Sequence, residues 1–235
     1  MWINTCFYMF STSNNMAGQI LGKLRGDIVE GHFAPGEKLR MADLKVRYGA
    51  GVGPLREALS HLIAEQLVMV ENQRGFRVQP MSLAELRDIY ATRAHIEALC
   101  VGLALDRGDD QWEAEILAAA HRLERQTPPD KQQIADLQQW EDRHHTFHTA
   151  IAKGCGSEEL LRVRETLYSK AARYRNLWLR ENAAQAAAFD ANQQEHQALQ
   201  KAALRRDRDH ATELVFRHLM VPVGILQNSL ALQSI

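Results

Sequence analysis

Between Phe33 and Val78 the hydrophobic periodicity changes three times, and that succession restricts the fold more than any other stretch of the chain. A turn run, Ala34-Pro35-Gly36, precedes a short helix-period segment from Met41 to Tyr48 that carries Leu44 and Tyr48 inward. Gly49, Gly51 and Gly53 make a permissive corner. Pro54 suits the first turn of the next helix, where a missing N–H leaves no bond unmade. In that second helix Leu55, Ala58, Leu59, Leu62 and Ile63 form one apolar stripe, with Arg56, Ser60 and His61 off it. The apolar run Leu67-Val68-Met69-Val70, the polar turn Asn72-Gln73-Arg74-Gly75 and Phe76-Arg77-Val78 then read as two tightly joined strands. Helix, turn, helix and a two-stranded wing in that order predict a winged helix-turn-helix. Its second helix enters the major groove of DNA, where each base pair presents a distinct donor and acceptor pattern.

Composition limits how such a unit could hold DNA. The 235 residues carry a formal net charge of −1, so there is no overall basic field and binding must rest on a local basic face. Arg56, off the stripe of the second helix, is the first choice for a bidentate contact to guanine, with Ser60 one turn further along. Arg40 and Arg47 suit phosphate anchoring, and Arg74 at the wing tip could enter the minor groove. Cys6, Cys100 and Cys155 are far apart and odd in number, which suits reduced, buried thiols in a cytoplasmic protein. No run approaches a membrane span. Residues 1–15 are apolar without a basic leader and are expected to be a disordered tail rather than a signal peptide.

A helix-period segment from Ala17 to about Gly31 opens the DNA-binding domain, expected over 16–80. Gln79-Pro80-Met81 interrupts the chain, and Ser82-Leu83-Ala84-Glu85 follows as a capping box, a helix start and a natural domain boundary. Beyond it the periodicity is helical throughout, over about 83–107, 111–125, 131–153, 158–181, 191–206 and 209–229. The expected fold class is therefore mainly α, a winged helix-turn-helix followed by an all-helical bundle over 81–230.

Four of the chain's ten histidines, all in that bundle, hold suggestive positions. His144 and His148 are one turn apart and project from one helix face, while His196 and His218 lie on the last two helices. Neutral imidazole is a good ligand for Zn²⁺ and similar ions, and four could close a site. Spacing alone nonetheless favours independent core or surface residues. His145 and His210 face elsewhere by helical phase.

Pro35-Gly36-Glu37-Lys38-Leu39, Pro54–Leu59, Leu67-Val68 and Arg74–Val78 resemble the winged domain of the GntR superfamily of bacterial regulators. The helical remainder is similar to the effector domain of its FadR-type, or FCD, branch, and together the likeness covers nearly all of Met16 to Gln227. It implies a homodimeric regulator, more readily a repressor, whose two winged domains read the halves of a pseudo-palindrome. It also implies a divalent metal held by His144, His148, His196 and His218, through Thr146-Phe147-His148, Glu195-His196 and Arg217-His218-Leu219. At His144 the branch usually has Asp. Histidine there makes the site neutral and nitrogen-rich, favouring Zn²⁺ or Ni²⁺ over Mn²⁺, or else an anion held by protonated histidines.

Arg93 matches an arginine that the branch uses at its effector site, where guanidinium would hold a carboxylate bidentately, with Tyr174, Arg175 and Trp178 completing the pocket. A salt bridge to Glu97 at i+4 is the competing role for Arg93. Tyr48–Leu59, Phe147–Ile151 with Gly154–Ser157, and Ala172–Arg175 with Trp178–Arg180 are similar to glutarate-responsive members of the branch, which implies glutarate or a related dicarboxylate as effector. Two departures stand out. Val-Ser-Arg or Val-Thr-Arg commonly precedes the family's recognition helix, and here Ala50-Gly51-Val52 replaces it, shifting base reading toward Arg56 and Arg74. A helical metalloenzyme on the same histidines is the alternative function, although no His-Glu-x-x-His base pattern accompanies them.

Overall fold

The computed structural model describes residues 16–71, 75–126, 134–182 and 186–232. The expectations for the 1–15 tail, for Cys6 and for Arg74 fall outside them. The chain divides into two compact units, Met1–Pro80 and Met81–Ile235.

In the first unit α1 (Met16–Val29), β1 (Lys38–Leu39), α2 (Met41–Tyr48), α3 (Val52–Ala64), β2 (Val68–Val70) and β3 (Phe76–Val78) follow in order. The apolar stripes pack as their spacing dictates. Ile20, Leu24 and Ile28 of α1 meet Leu55, Ala58, Leu59 and Leu62 of α3 around Leu39, Leu44, Val68 and Val78. Each fully buried leucine contributes about 1.5–3 kcal/mol. Gly49 ends α2 in the left-handed region (φ 60°), which permits the sharp turn into α3. The sheet is antiparallel in the order β1-β3-β2, with Val68 opposite Val78, Met69 opposite Arg77 and Val70 opposite Phe76. The third strand, β1, lies just after the expected turn Ala34-Pro35-Gly36, where the sequence reading placed no strand. It pairs Lys38 with Arg77 and Leu39 with Phe76, and two residues are too short for an alternation to register.

The second unit is built from α4 (Leu83–Arg107), α5 (Asp110–Glu124), α6 (Ile134–Lys153), α7 (Glu158–Lys170), α8 (Ala172–Asn182), α9 (Ala186–Leu204) and α10 (Arg208–Leu232). Ser82 caps α4, its hydroxyl accepting from the Glu85 N–H at 3.1 Å. The reciprocal half of the expected box is relayed. The Ser82 N–H donates to the Tyr174 hydroxyl at 3.2 Å, and that hydroxyl donates to the Glu85 carboxylate at 2.5 Å. The single helix expected over 158–181 is broken at Ala171, whose N–H is shared between the carbonyls of Leu167 and Ser169. No Gly or Pro marks that break. It rests on the tertiary placement of Ala171, which is fully buried. Trp112 pins α5 to the end of α6, its indole N–H donating to the Ile151 carbonyl at 3.0 Å. A Cβ at Gly108 or Gly154 would lie 2.2 or 2.6 Å from that ring, so only glycine fits at either position. Cys100 and Cys155 are free and buried, and burial pushes the Cys100 thiol up to about 12. No described helix is long and apolar enough to cross a membrane.

Candidate metal centre and ligand cavity

Three helices of the second unit converge their imidazoles on one point. His144 and His148 come from α6, His196 from α9 and His218 from α10, and their ligating atoms lie within 4.8 Å of one another. Nε2 of His148 is 3.2 Å from Nε2 of both His196 and His218, and Nε2 of His144 is 3.4 Å from that of His218. A tetrahedral ion with metal–nitrogen bonds of about 2.0–2.1 Å would hold its nitrogens about 3.3–3.4 Å apart. These three separations match those around a tetrahedral ion, while the full spread of 4.8 Å is wider, so all four rings bind one ion only after a small inward shift.

Protonation supports the same fit. Burial pushes His144, His148 and His196 well below the ordinary histidine range, with neighbouring histidines a further cause for each. Neutral imidazoles present lone pairs, which suits a cation and weighs against an anion held by protonated rings. Nδ1 of His218 lies 2.6 Å from the Glu195 carboxylate. That contact fixes the Nδ1–H tautomer and turns the Nε2 lone pair inward, the outer support that metal-ligating histidines commonly have. Trp140 stacks on His144 (4.8 Å between centroids, 15° between planes) and holds its ring plane. His145 pairs with Glu165 at 3.3 Å, and His210 is exposed, so neither joins the group.

Against the histidines lies a cavity of about 440 Å³, open solvent at its mouth included, bordered by Tyr90, Arg93, Glu141, His144, Arg175 and His218. Trp140, Trp178 and Asn192 also line it. Arg93 is 2% exposed, and its Nε has no hydrogen-bond partner among the described residues. The Tyr90 hydroxyl and Nδ1 of His144 are likewise buried without a hydrogen bond there, although Glu141 lies 4.0 Å from Nδ1 of His144. A buried polar atom left unsatisfied is expensive, so three around one cavity point to a polar ligand that completes them. Burial, with the cation of Arg175 beside it, pushes the Arg93 guanidinium down, an effect an incoming carboxylate would offset. The competing salt bridge to Glu97 is not formed. Glu97 is instead clasped by Nε of Arg164 at 2.8 and 2.9 Å, and Nη1 of Arg164 reaches the Thr149 hydroxyl at 3.0 Å.

Arg175 reaches the cavity but is engaged, donating to the Glu141 carboxylate and the Tyr168 carbonyl with its guanidinium 3.6 Å over the Tyr168 ring. Trp178 lines the cavity. Tyr174 corrects that expectation. It is fully buried in the cluster of Leu86, Leu137 and Leu226, with its hydroxyl committed to the start of α4, because one position along α8 turns it away from Arg175. Tyr90, Glu141, Asn192 and Glu195 were missed. Tyr90 and Glu141 sit three residues before Arg93 and His144, a spacing that places them on the same helix faces.

In the first unit Arg56 and Ser60 are exposed on α3, the Ser60 hydroxyl donating to the Arg56 carbonyl at 2.9 Å. Arg40 is exposed immediately before α2. Arg47 is exposed too but pairs with Asp27 at 2.8 Å and lies 4.9 Å over the Phe33 ring, which ties α2 to α1. Val52, in the place of the family arginine, is 42% exposed at the start of α3.

The comparisons with known proteins agree with this division. Residues 16–78 match the model "Bacterial regulatory proteins, gntR family", and residues 88–220 match the FCD domain. The chain is 49% identical over 208 residues to the HTH-type transcriptional repressor GlaR of Escherichia coli K12, covering 88% of this chain and 94% of that one. It is 38% identical over 208 residues to the HTH-type transcriptional regulator BphR of Paraburkholderia xenovorans LB400, covering 87% and 82%. Among solved structures, E. coli McbR/YncC shares the fold with a TM-score of 0.68 at 20% identity, over 92% of this chain and 99% of that one.

Proposed function

The chain belongs to the gntR family of bacterial regulatory proteins and carries an FCD domain, and on that premise we propose a DNA-binding repressor whose operator affinity is set by a small carboxylate. Both domains are those of transcriptional regulators rather than enzymes, so the metalloenzyme reading of the histidines is set aside. Support for repression comes from the repressor GlaR, which is similar over most of both chains.

The observation that carries the effector reading is the ring of unsatisfied polar atoms, on Tyr90, Arg93 and His144, around one cavity beside the histidine cluster. A carboxylate at Arg93 would satisfy the guanidinium and accept from the Tyr90 hydroxyl. A second carboxylate at the other end would reach the metal held by His144, His148, His196 and His218. A short dicarboxylate such as glutarate meets both demands. The neutral, all-nitrogen donor set favours Zn²⁺ or Ni²⁺. When bound, the ion supplies a positive anchor for the effector. The residues orient it: Glu195 holds His218, Trp140 holds His144, and Arg175 with Glu141 stiffens the wall.

On DNA, Arg56 reads guanine from the exposed face of α3, Ser60 follows one turn later, Arg40 meets phosphate, and Arg74 enters the minor groove from the wing. A homodimer presents two such units to a two-fold operator. An effector that binds one arrangement of the units better than another shifts the operator-bound population by its differential affinity alone. A thermal-shift screen of C4–C6 mono- and dicarboxylates, with and without Zn²⁺, tests the reading. A dicarboxylate should stabilise the metal-loaded protein most, in proportion to the logarithm of its concentration over Kd. Equal stabilisation by all acids, or by none, would remove the effector role.

A further inference from the structure

The histidine cluster has a second opening. Beside the arginine-lined cavity, sharing Trp140 and Asn192 with it, lies a cleft of about 620 Å³, solvent at its mouth included, between α5 and α9, and His196 borders it. Trp140 and Asn192 line both spaces and so form the partition between them. The two openings differ in charge. The first carries Arg93 and Arg175 against one acid, Glu141. The second carries Glu124 and Asp190, both exposed, and no Lys or Arg among its described lining residues. Gln126, Gln193, Gln197 and Gln200 supply neutral oxygen donors between those acids and His196, and Gln197 donates to Glu124 at 3.0 Å.

We propose that this acidic, amide-lined cleft is the route by which a divalent cation reaches the histidines, with Glu124 and Asp190 gathering the hydrated ion and His196 receiving it first. The proposal rests on the metal reading above. All four histidines are at most 8% exposed, so an ion reaches them from a cavity that borders them, and these two do. A dication approaching the first meets two guanidinium groups, whereas one approaching the second meets two carboxylates. Like charge repels and opposite charge concentrates an ion at a mouth with low-dielectric walls. Amide oxygens can then replace hydration waters before the imidazoles bind. The arrangement also separates traffic. A carboxylate filling the arginine-lined cavity leaves the cation route open, so metal and effector need not follow a fixed order.

Metal-uptake kinetics test this. Metal-free protein is mixed with Co²⁺ in a stopped flow, and quenching of tryptophan fluorescence reports arrival, since Trp140 stacks on His144 at the partition. In the double variant Glu124→Gln/Asp190→Asn, uptake at low ionic strength should slow about three- to tenfold, within the range of electrostatic steering. The difference should vanish as salt screens both mouths, and the final cobalt content should equal wild type. Ala120→Trp, which fills the same cleft from α5, should slow uptake and chelator-driven release together. Wild-type rates in both variants at full cobalt content would overturn the route while leaving the metal site standing. Failure of the wild-type protein to bind cobalt would overturn the metal site itself.

Discussion

The histidine cluster ties stability to pH with a definite sign. His144, His148 and His196 are held well below the ordinary histidine range by burial, so they stay neutral in the folded protein. In the unfolded chain each titrates near about 6.5. Above that value neither state binds the protons, and the full stability of the metal-free domain is present. Below it the unfolded chain takes up protons that the native cluster refuses, so stability falls as pH falls toward the depressed native values. Each such group contributes about 1.4 kcal/mol per pH unit, and the three together about 4 kcal/mol per unit. His145, lowered to about 4 chiefly by burial, acts in the same direction. Against a typical domain stability of about 5–15 kcal/mol, the metal-free bundle should lose much of its margin between about pH 6.5 and 5. Urea denaturation of chelator-treated protein, at several pH values across that window, measures the slope. Tryptophan fluorescence follows mainly the right unit, because three of the four tryptophans, Trp112, Trp140 and Trp178, lie in it, and Trp2→Phe removes the fourth. Replacing His148 and His196 with Gln should flatten the dependence to roughly half or less. A stability that does not change from about pH 7 to 5.5, or a slope untouched in that variant, would refute the account of a buried neutral cluster.

Three further outcomes follow from particular contacts. Arg56→Ala should weaken specific operator binding about ten- to a hundredfold, the equivalent of a bidentate guanine contact, with the protein still folded; unchanged footprinting would show that Arg56 does not read sequence. Glu195→Gln removes the carboxylate behind His218 and should weaken metal affinity about ten- to a hundredfold, read by competition with a chromogenic chelator. Glu97→Ala strands the buried Arg164 guanidinium and should destabilise the bundle by about 3–5 kcal/mol; calorimetry showing a shift within error would mean that the pair contributes nothing.

Where periodicity carried the information, the sequence was legible. The stripe Leu55, Ala58, Leu59 and Leu62 and the turn at Gly49 follow from spacing and backbone chemistry alone. The Ser82 cap was legible too, but its relay through Tyr174 was not, because the hydroxyl arrives from a helix about ninety residues away. The break at Ala171 left no mark, since an alanine within an unbroken helical pattern gives no stop signal. At the histidine cluster, spacing placed His144 and His148 on one face and could do no more. Their meeting with His196 and His218 depends on how three helices pack, and only the family resemblance anticipated it. Tyr90 and Glu141 were within reach of the helical i+3 rule, applied from Arg93 and His144. Asn192 and the acidic cleft are tertiary products of α5, α6 and α9, without a pattern of their own.

In the proposed function a carboxylate bound at Arg93 sets operator affinity. A titration of glutarate into the metal-loaded protein bound to a fluorescent operator, for the wild type and for Arg93→Ala, tests this directly. The wild type should release DNA as the acid saturates. Arg93→Ala should bind the operator with undiminished affinity and remain bound throughout. A wild-type dose response in Arg93→Ala would show that the acid does not act through Arg93.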